Sequence, residues 1–128
     1  MRLLLDTHAL LWWLDGDTSL SPAAGEAIAN ESNEIFLSAA SAWEITTNYR
    51  LGKLPGAAAV AEDIVECVAS QGFFELPLTL VHGQTASALP GPHRDPFDRM
   101  LIAQALAERL VLVSNEVVFD SYRVRRLW

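Results

Sequence analysis

The chain has 128 residues, of which 51% are hydrophobic and 20% are charged, with only 7 glycines and 6 prolines. This composition excludes a disordered or collagen-like chain, and the length fits a single domain, residues 1–128, with one core. The 16 acidic and 9 basic residues give a formal net charge of −7, which argues against simple electrostatic adhesion to nucleic acid or to an anionic membrane.

Short apolar segments alternate with helical segments along the whole chain. In chain order, the predicted elements are a strand at Leu3–Leu5, a helix at Ala9–Leu14, a helix from Ser21-Pro22 to Asn30, a strand at Glu34–Ser38, a helix from Ser41 through Tyr49 to Leu51, a helix at Ala57–Gln71, a strand at Phe73–Leu76, a helix at Thr79–Leu89, a helix from Asp95-Pro96 to about Arg109, a strand at Leu110–Val113 and a small edge strand near Val124–Trp128. The alternation predicts an α/β fold, a three-layer α/β/α sandwich whose central, mainly parallel sheet has four to five strands.

Three local signals set the boundaries of these elements. Asp15-Gly16-Asp17 ends the first helix, and Pro90-Gly91-Pro92 forces a loop. Ser41 and Glu44 have the spacing of a capping box, which predicts that a helix begins at Ser41.

The sequence predicts neither export nor a membrane span. Asp6 interrupts the apolar N-terminal segment, and no run of about 18 uncharged apolar residues follows. Cys67, the only cysteine, cannot form an internal disulfide, so a reducing cytoplasm is the expected compartment. Cys67 also falls on the apolar face of its predicted helix, where a core position is expected.

Four acidic residues are predicted to meet at one edge of the sheet. Asp6 ends the first strand, and Glu116 follows the fourth. Glu44 is placed in the first turn after the second strand, and Asp98 in the first turn of the helix before the fourth strand. Because the carboxyl ends of parallel strands and the N-termini of the following helices share an edge, these four side chains should converge there.

Such a cluster needs a neutralising partner. Two like charges about 4 Å apart repel by about 4 kcal/mol at an effective dielectric constant near 20. Protonation is one solution, but a hard divalent cation suits an all-oxygen cluster better, and Mg²⁺ or Mn²⁺ keeps open positions for water. The pattern therefore indicates a metal-dependent phosphodiester hydrolase.

Taken singly, each acid also has a purely structural interpretation. Asp6 could cap the helix behind it, Glu44 could be only the capping partner of Ser41, and Asp98 could be a favourable first-turn acid. Glu116 alone could be a solvated surface charge, and Asp95 is better explained as a helix cap than as a ligand.

The motifs that carry these acids resemble those of PIN-domain ribonuclease toxins of the VapC type, which belong to toxin–antitoxin modules. The four matching segments are Leu3-Leu-Leu-Asp-Thr-His-Ala-Leu-Leu-Trp12, Ser38-Ala-Ala-Ser-Ala-Trp-Glu-Ile45, His93-Arg-Asp-Pro-Phe-Asp-Arg-Met-Leu-Ile-Ala-Gln-Ala105 and Leu112-Val-Ser-Asn-Glu116. They occur in the family's order, and the resemblance spans residues 1 to about 122.

The resemblance implies a PIN-like fold, endonucleolytic cleavage of RNA to 5′-phosphate and 3′-hydroxyl products, Mg²⁺ or Mn²⁺ as cofactor, a homodimer and inhibition by a small cognate antitoxin. By motif position, Asp6, Glu44 and Asp98 match the family's first three acids. We expect Asp6 and Asp98 to anchor a metal ion, while Glu44 and Glu116 orient a water molecule or a second ion. Glu116 stands where the family usually carries Asp.

Further residues near these motifs are candidates for auxiliary roles. Arg94 and Arg99 could hold RNA phosphates or be solvated charges, and Ser114 and Asn115 could contact substrate. The nearby acids that could substitute for Glu116 are Asp95 and Asp120. The three histidines, which are His8, His82 and His93, lack the spacing of metal ligands, so structural or surface roles are expected for them.

Two other functions remain open at this point. The Glu at position 116 is compatible with a catalytically silent PIN-like module that binds a partner or RNA. A phosphotransferring hydrolase with Asp6 as nucleophile would need a second Asp at the position of His8.

Overall fold

The computed structural model describes residues 1–128 and contains one five-stranded, fully parallel sheet. Its strands are β1 (Arg2–Leu5), β2 (Glu34–Ser38), β3 (Phe74–Leu76), β4 (Val111–Val113) and β5 (Arg125–Leu127), in the spatial order β3-β2-β1-β4-β5. The predicted edge strand is confirmed as β5, which pairs with β4.

Seven helices and two short 3₁₀ turns connect the strands. The helices are α1 (Thr7–Asp15), α2 (Pro22–Ala29), α3 (Ala39–Arg50), α4 (Ala58–Glu62), α5 (Ile64–Ser70), α6 (Leu80–Ala88) and α7 (Pro96–Glu108), and the 3₁₀ turns are Pro55–Ala57 and Val117–Ser121. No helix has the length and apolar character needed to cross a membrane.

The central strand β1 buries both of its faces, as expected for a parallel sheet covered on both sides. Leu3 and Leu5 pack on one face in a cluster with residues of α1, α2, α3 and α5, while Leu4 packs on the other with residues of α7. All three leucines are fully buried. The predicted α/β/α sandwich is therefore confirmed.

The predicted start of α3 is wrong. Ser38, rather than Ser41, caps this helix, because its hydroxyl accepts a hydrogen bond from the Ala40 N–H at 3.0 Å. Ser41 lies inside the helix, where its hydroxyl is buried without a partner. The strand passes directly into the helix, which places Glu44 in the second turn of α3 rather than the first.

The helix predicted at Ala57–Gln71 is interrupted. The 3₁₀ turn at Pro55–Ala57 is followed by α4, and α5 begins only after Asp63, whose backbone is not helical (φ −151°, ψ 75°). The Asp63 carboxylate accepts from the Glu66 N–H at 3.1 Å and so caps α5. An aspartate that bonds nearby backbone competes with helix continuation, which explains the break.

Arg99 on α7 fastens the end of α6 and the loop that follows it. Its guanidinium donates to the carbonyls of Ala86 and His93, each at 3.0 Å, and to those of Ser87 and Leu89. The last carbonyls of a helix lack partners within that helix, so these bonds satisfy groups that would otherwise be orphaned.

We expect Arg99→Met to lower the free energy of unfolding by about 2 kcal/mol, because several partly buried carbonyls lose a charged donor. Arg94→Met is the matched control, since Arg94 is exposed and makes no hydrogen bond or ion pair within the chain, and a change within about 0.5 kcal/mol is expected. Urea unfolding monitored by circular dichroism measures both variants. Equal stabilities for the two would show that Arg99 is not a structural clamp.

Candidate active site

Asp6 stands at the carboxyl end of β1, between β1 and α1. Its Oδ1 atom accepts a hydrogen bond from the Ala9 N–H at 2.8 Å, so the predicted capping of α1 is confirmed. The residue is only 6% exposed, and this burial raises the pKa of the carboxyl group. The Ser114 hydroxyl, the Ala9 N–H and the charge of His8 oppose the rise, whereas Glu116 adds to it.

Glu44 reaches the same edge from the second turn of α3. Its Oε1 atom accepts a hydrogen bond from the Thr7 hydroxyl, which ties α3 to the start of α1. Burial raises the pKa of Glu44, the Thr7 hydrogen bond opposes this, and repulsion from Asp95 and Asp6 raises it further. Glu44 therefore shares an electrostatic environment with both of these acids.

Asp98 lies in the first turn of α7, as the sequence predicts. Its Oδ2 atom is 2.8 Å from Nε2 of His93. Burial raises the pKa of Asp98 from its ordinary value of 3.8 to about 6. The His93 hydrogen bond opposes this rise, and repulsion from Asp95 and Glu116 contributes to it.

Asp95 and Glu116 complete the acidic edge from more exposed positions. Asp95 caps α7, accepting from the Phe97 and Asp98 N–H groups at 2.9 Å and 3.2 Å, as predicted. Glu116 follows β4, and its N–H donates to the Ser114 hydroxyl at 3.1 Å. Because Glu116 repels both Asp6 and Asp98, and Asp95 repels both Glu44 and Asp98, the acids lie within electrostatic range of one another.

The donor chemistry of this edge fits a hard divalent cation. In this conformation no three histidine, cysteine or acidic side chains are close enough together to hold an ion. Mg²⁺, however, usually binds through one or two carboxylates and keeps several waters, so it does not need such a cage. Glu44 and Asp98 each use one oxygen in a hydrogen bond within the chain and leave the other uncommitted.

Three of the predicted auxiliary residues have other partners. Ser114 is fully buried, so its hydroxyl supports Asp6 and the Glu116 backbone and cannot contact a substrate. Asp120 pairs with Arg126 through two hydrogen bonds of 2.8 Å and 2.9 Å, and this pairing lowers its pKa. The Arg99 guanidinium donates to backbone carbonyls, which leaves it little capacity to hold an RNA phosphate. Arg94 and Asn115 are exposed beside the acids and remain candidates.

Sequence reasoning missed two side chains that hold the acids in place. His93, for which a structural or surface role is expected, contacts Asp98 directly through its ring. Thr7, next to Asp6, binds Glu44 across 37 positions of sequence. Thr7 follows Asp6 and His93 precedes Asp98, and these positions were the only features of the sequence that could have pointed to these two side chains. For His82 the structural prediction is confirmed, since it is buried between Thr79 and Glu108.

Comparisons with known proteins agree with this fold. The PIN domain profile matches residues 3–124. Over 58 residues the chain is 48% identical to Ribonuclease VapC16 of Mycobacterium tuberculosis, a match that covers 42% of this chain and 37% of that protein. The matched segment is thus well under two thirds of that relative's length.

Solved structures share the fold at low sequence identity. VapBC2 from Rickettsia felis, bound to a DNA fragment from its promoter, matches with a TM-score of 0.69 and 16% identity over 98% of this chain and 97% of that chain. DNA-bound VapBC from Salmonella typhimurium gives a TM-score of 0.67 and 18% identity over 98% of this chain and 96% of that chain. At these identities the likeness is one of fold.

The fold is a parallel α/β/α sandwich with acidic side chains along the carboxyl edge of its sheet. This chain belongs to the PIN-domain family. The predicted resemblance to its VapC-type members is also confirmed, by the similarity of part of the chain to Ribonuclease VapC16.

The elevated pKa of Asp98 predicts an unusual pH dependence of stability. The folded protein binds this proton more tightly than the unfolded chain, so the free energy of unfolding falls as the pH rises from about 4 through about 6. Asp98→Asn removes this dependence. In a metal-free buffer we expect it to stabilise the protein by on the order of 2 kcal/mol at about pH 7.5, and very little at about pH 4.

Urea unfolding at the two pH values measures this effect. Asp15→Asn serves as the matched control, because Asp15 is exposed at the end of α1, and changes within about 0.5 kcal/mol are expected. If Asp98→Asn is less stable than the wild type at the higher pH, the ionised Asp98 carboxylate does not destabilise the fold, which contradicts the raised pKa.

Proposed function

We propose that this chain is a metal-dependent endoribonuclease toxin that hydrolyses RNA phosphodiester bonds. The observation that carries this proposal is the group of partly buried, mutually repelling acids at the carboxyl edge of the sheet. Burying such charges is unfavourable, and a fold that retains them has a use for them. The similarity to Ribonuclease VapC16 supports RNA as the substrate class.

The geometry suggests how the residues would divide the work. Asp6 at the carboxyl end of β1 and Asp98 in the first turn of α7 would hold Mg²⁺ or Mn²⁺ between them. When bound, such an ion supplies positive charge at the scissile phosphate and makes a nearby water more acidic.

Glu44 and Glu116 would position the attacking water and accept its proton. The Thr7 hydroxyl fixes one oxygen of Glu44 and leaves the other available. Glu116 is exposed, with its backbone fixed by Ser114, so its side chain can adjust to the substrate. Arg94 and Asn115, at the exposed rim, would contact the RNA backbone.

A small cognate antitoxin and a homodimer complete the proposal, with the cytoplasm as the compartment. The structures with this fold are of VapBC complexes, which supports a dedicated protein partner. Exposed apolar side chains also favour protein contacts: Leu80 is 94% exposed, and Val65 and Val81 are largely exposed too.

The test is metal-dependent cleavage by purified protein. We expect the wild type to cut single-stranded RNA with Mg²⁺ or Mn²⁺ and to stop when EDTA is added. Asp6→Asn and Asp98→Asn should each reduce the rate by about two orders of magnitude or more, as loss of a preorganised charged group does elsewhere.

Glu31→Gln is the matched control, because Glu31 is an exposed acid in the turn before β2 and should leave the rate unchanged. Mapping RNA 5′ ends after induced expression tests the same point in cells. Identical transcript ends from wild type and Asp98→Asn would exclude the nuclease proposal. Saturable RNA binding without any cleavage would instead favour a catalytically silent binding module.

A further inference from the structure

Two aromatic side chains stand at the rim of the acidic edge. Trp43 on α3 is 65% exposed, and its ring centroid lies 5.2 Å from that of Phe97 on α7, in an edge-to-face arrangement at 68°. Trp43 immediately precedes Glu44, and Phe97 immediately precedes Asp98. The pair therefore bridges the two helices that carry these acids.

The exposure of Trp43 calls for an explanation. A tryptophan offers a large apolar area, and its burial is strongly favourable. The contact with Phe97 braces the indole against α7 but leaves most of it in solvent. The indole N–H of Trp43 makes no hydrogen bond within the chain, unlike that of Trp13, which donates to Gln71 at 2.9 Å.

An RNA strand that approaches this edge meets little favourable charge. The chain carries a formal net charge of −7, and the rim is lined by Glu44, Asp95 and Asp98. The guanidinium of Arg99 donates its hydrogen bonds to backbone carbonyls. Arg94 is therefore the cation near Asp95 and Asp98 that is free to contact a phosphate. Stacking of bases on aromatic rings provides affinity that does not depend on phosphate contacts.

We propose that Trp43, braced by Phe97, is the platform on which an unpaired base of single-stranded RNA stacks beside the scissile phosphate. The inference rests on the proposed nuclease function, which it extends by naming a substrate-positioning residue and a requirement for an unpaired base. A base suits this surface better than an apolar protein face, because the two rings stand among the carboxylates of Glu44, Asp95 and Asp98, whose desolvation in a protein interface would be unfavourable.

The experiment compares cleavage of a randomised single-stranded RNA pool, about 16 nucleotides long. We expect Trp43→Ala to raise KM about tenfold or more and to change kcat by less than about twofold, because stacking contributes to binding and not to the chemical step. Trp43→Phe keeps a stacking ring and should recover most of this loss. No comparable KM effect of Trp43→Ala is expected on the pool annealed to its complement.

Leu51→Ala is the matched control. Leu51 is exposed and caps the far end of α3, about 12 Å along the helix from Trp43, so its removal should leave KM unchanged. The oligomeric state of each variant is measured by light scattering. A fall in kcat at constant KM, a Trp43→Phe variant as impaired as Trp43→Ala, or a change of oligomeric state at constant KM would each overturn the proposal.

Binding of the same pool, followed by fluorescence anisotropy in EDTA, separates this inference from the nuclease proposal. If the wild type does not cleave RNA, weaker binding by Trp43→Ala than by wild type and Leu51→Ala still supports the stacking platform. Equal binding by all three proteins overturns it.

Discussion

The arrangement of this protein depends on acidic side chains, three of them at least partly buried, that are brought to a single sheet edge. Burial raises the pKa of Asp6, Glu44 and Asp98, and the neighbouring acids raise each pKa further, so keeping these groups ionised in the fold is unfavourable. Hydrogen bonds hold each main acid: the Ala9 N–H and the Ser114 hydroxyl for Asp6, the Thr7 hydroxyl for Glu44 and the His93 ring for Asp98. These donors fix position without neutralising the group as a whole.

The sheet topology explains why the acids meet where they do. The chain builds β1, β2 and β3 outward in one direction and then returns to place β4 on the other side of β1. The crevice between β1 and β4 is thus a point where the winding reverses, the usual location of a ligand site in open parallel sheets. Leu5 pairs with Val113, and the Asp6 N–H donates to the Val113 carbonyl at 3.1 Å. Asp6 and the residues after β4 are consequently neighbours.

The sequence predicted those parts of the fold that depend on local pattern. Alternating apolar segments gave the parallel sandwich, and strand ends with helix starts brought Asp6, Glu44, Asp98 and Glu116 to a common edge. Features set by competition between similar local signals were missed: Ser38 and Ser41 are both plausible caps, and only the absence of a connecting loop decides between them.

Side-chain partners that depend on the path of a loop or on packing between elements were harder to predict. Nothing in the segment around Arg99 shows that the end of α6 will lie against it, and nothing near Asp120 indicates that Arg126 will fold back to pair with it. The contact of His93 with Asp98 likewise depends on the path of the Pro90–Pro92 loop. Charge and residue type predicted where the chemistry lies, whereas the tertiary structure decided which charges are free to take part.

The central claim is that this group of acids exists to bind a divalent cation. Calorimetric titration of Mn²⁺ into the protein at about pH 6, repeated in buffers of different ionisation enthalpy, tests it most directly, because Asp98 with a pKa of about 6 is then partly protonated. The account predicts saturable binding with release of protons in the wild type, and loss of binding in Asp6→Asn. No saturable binding by the wild type, or unchanged binding in Asp6→Asn, would contradict it.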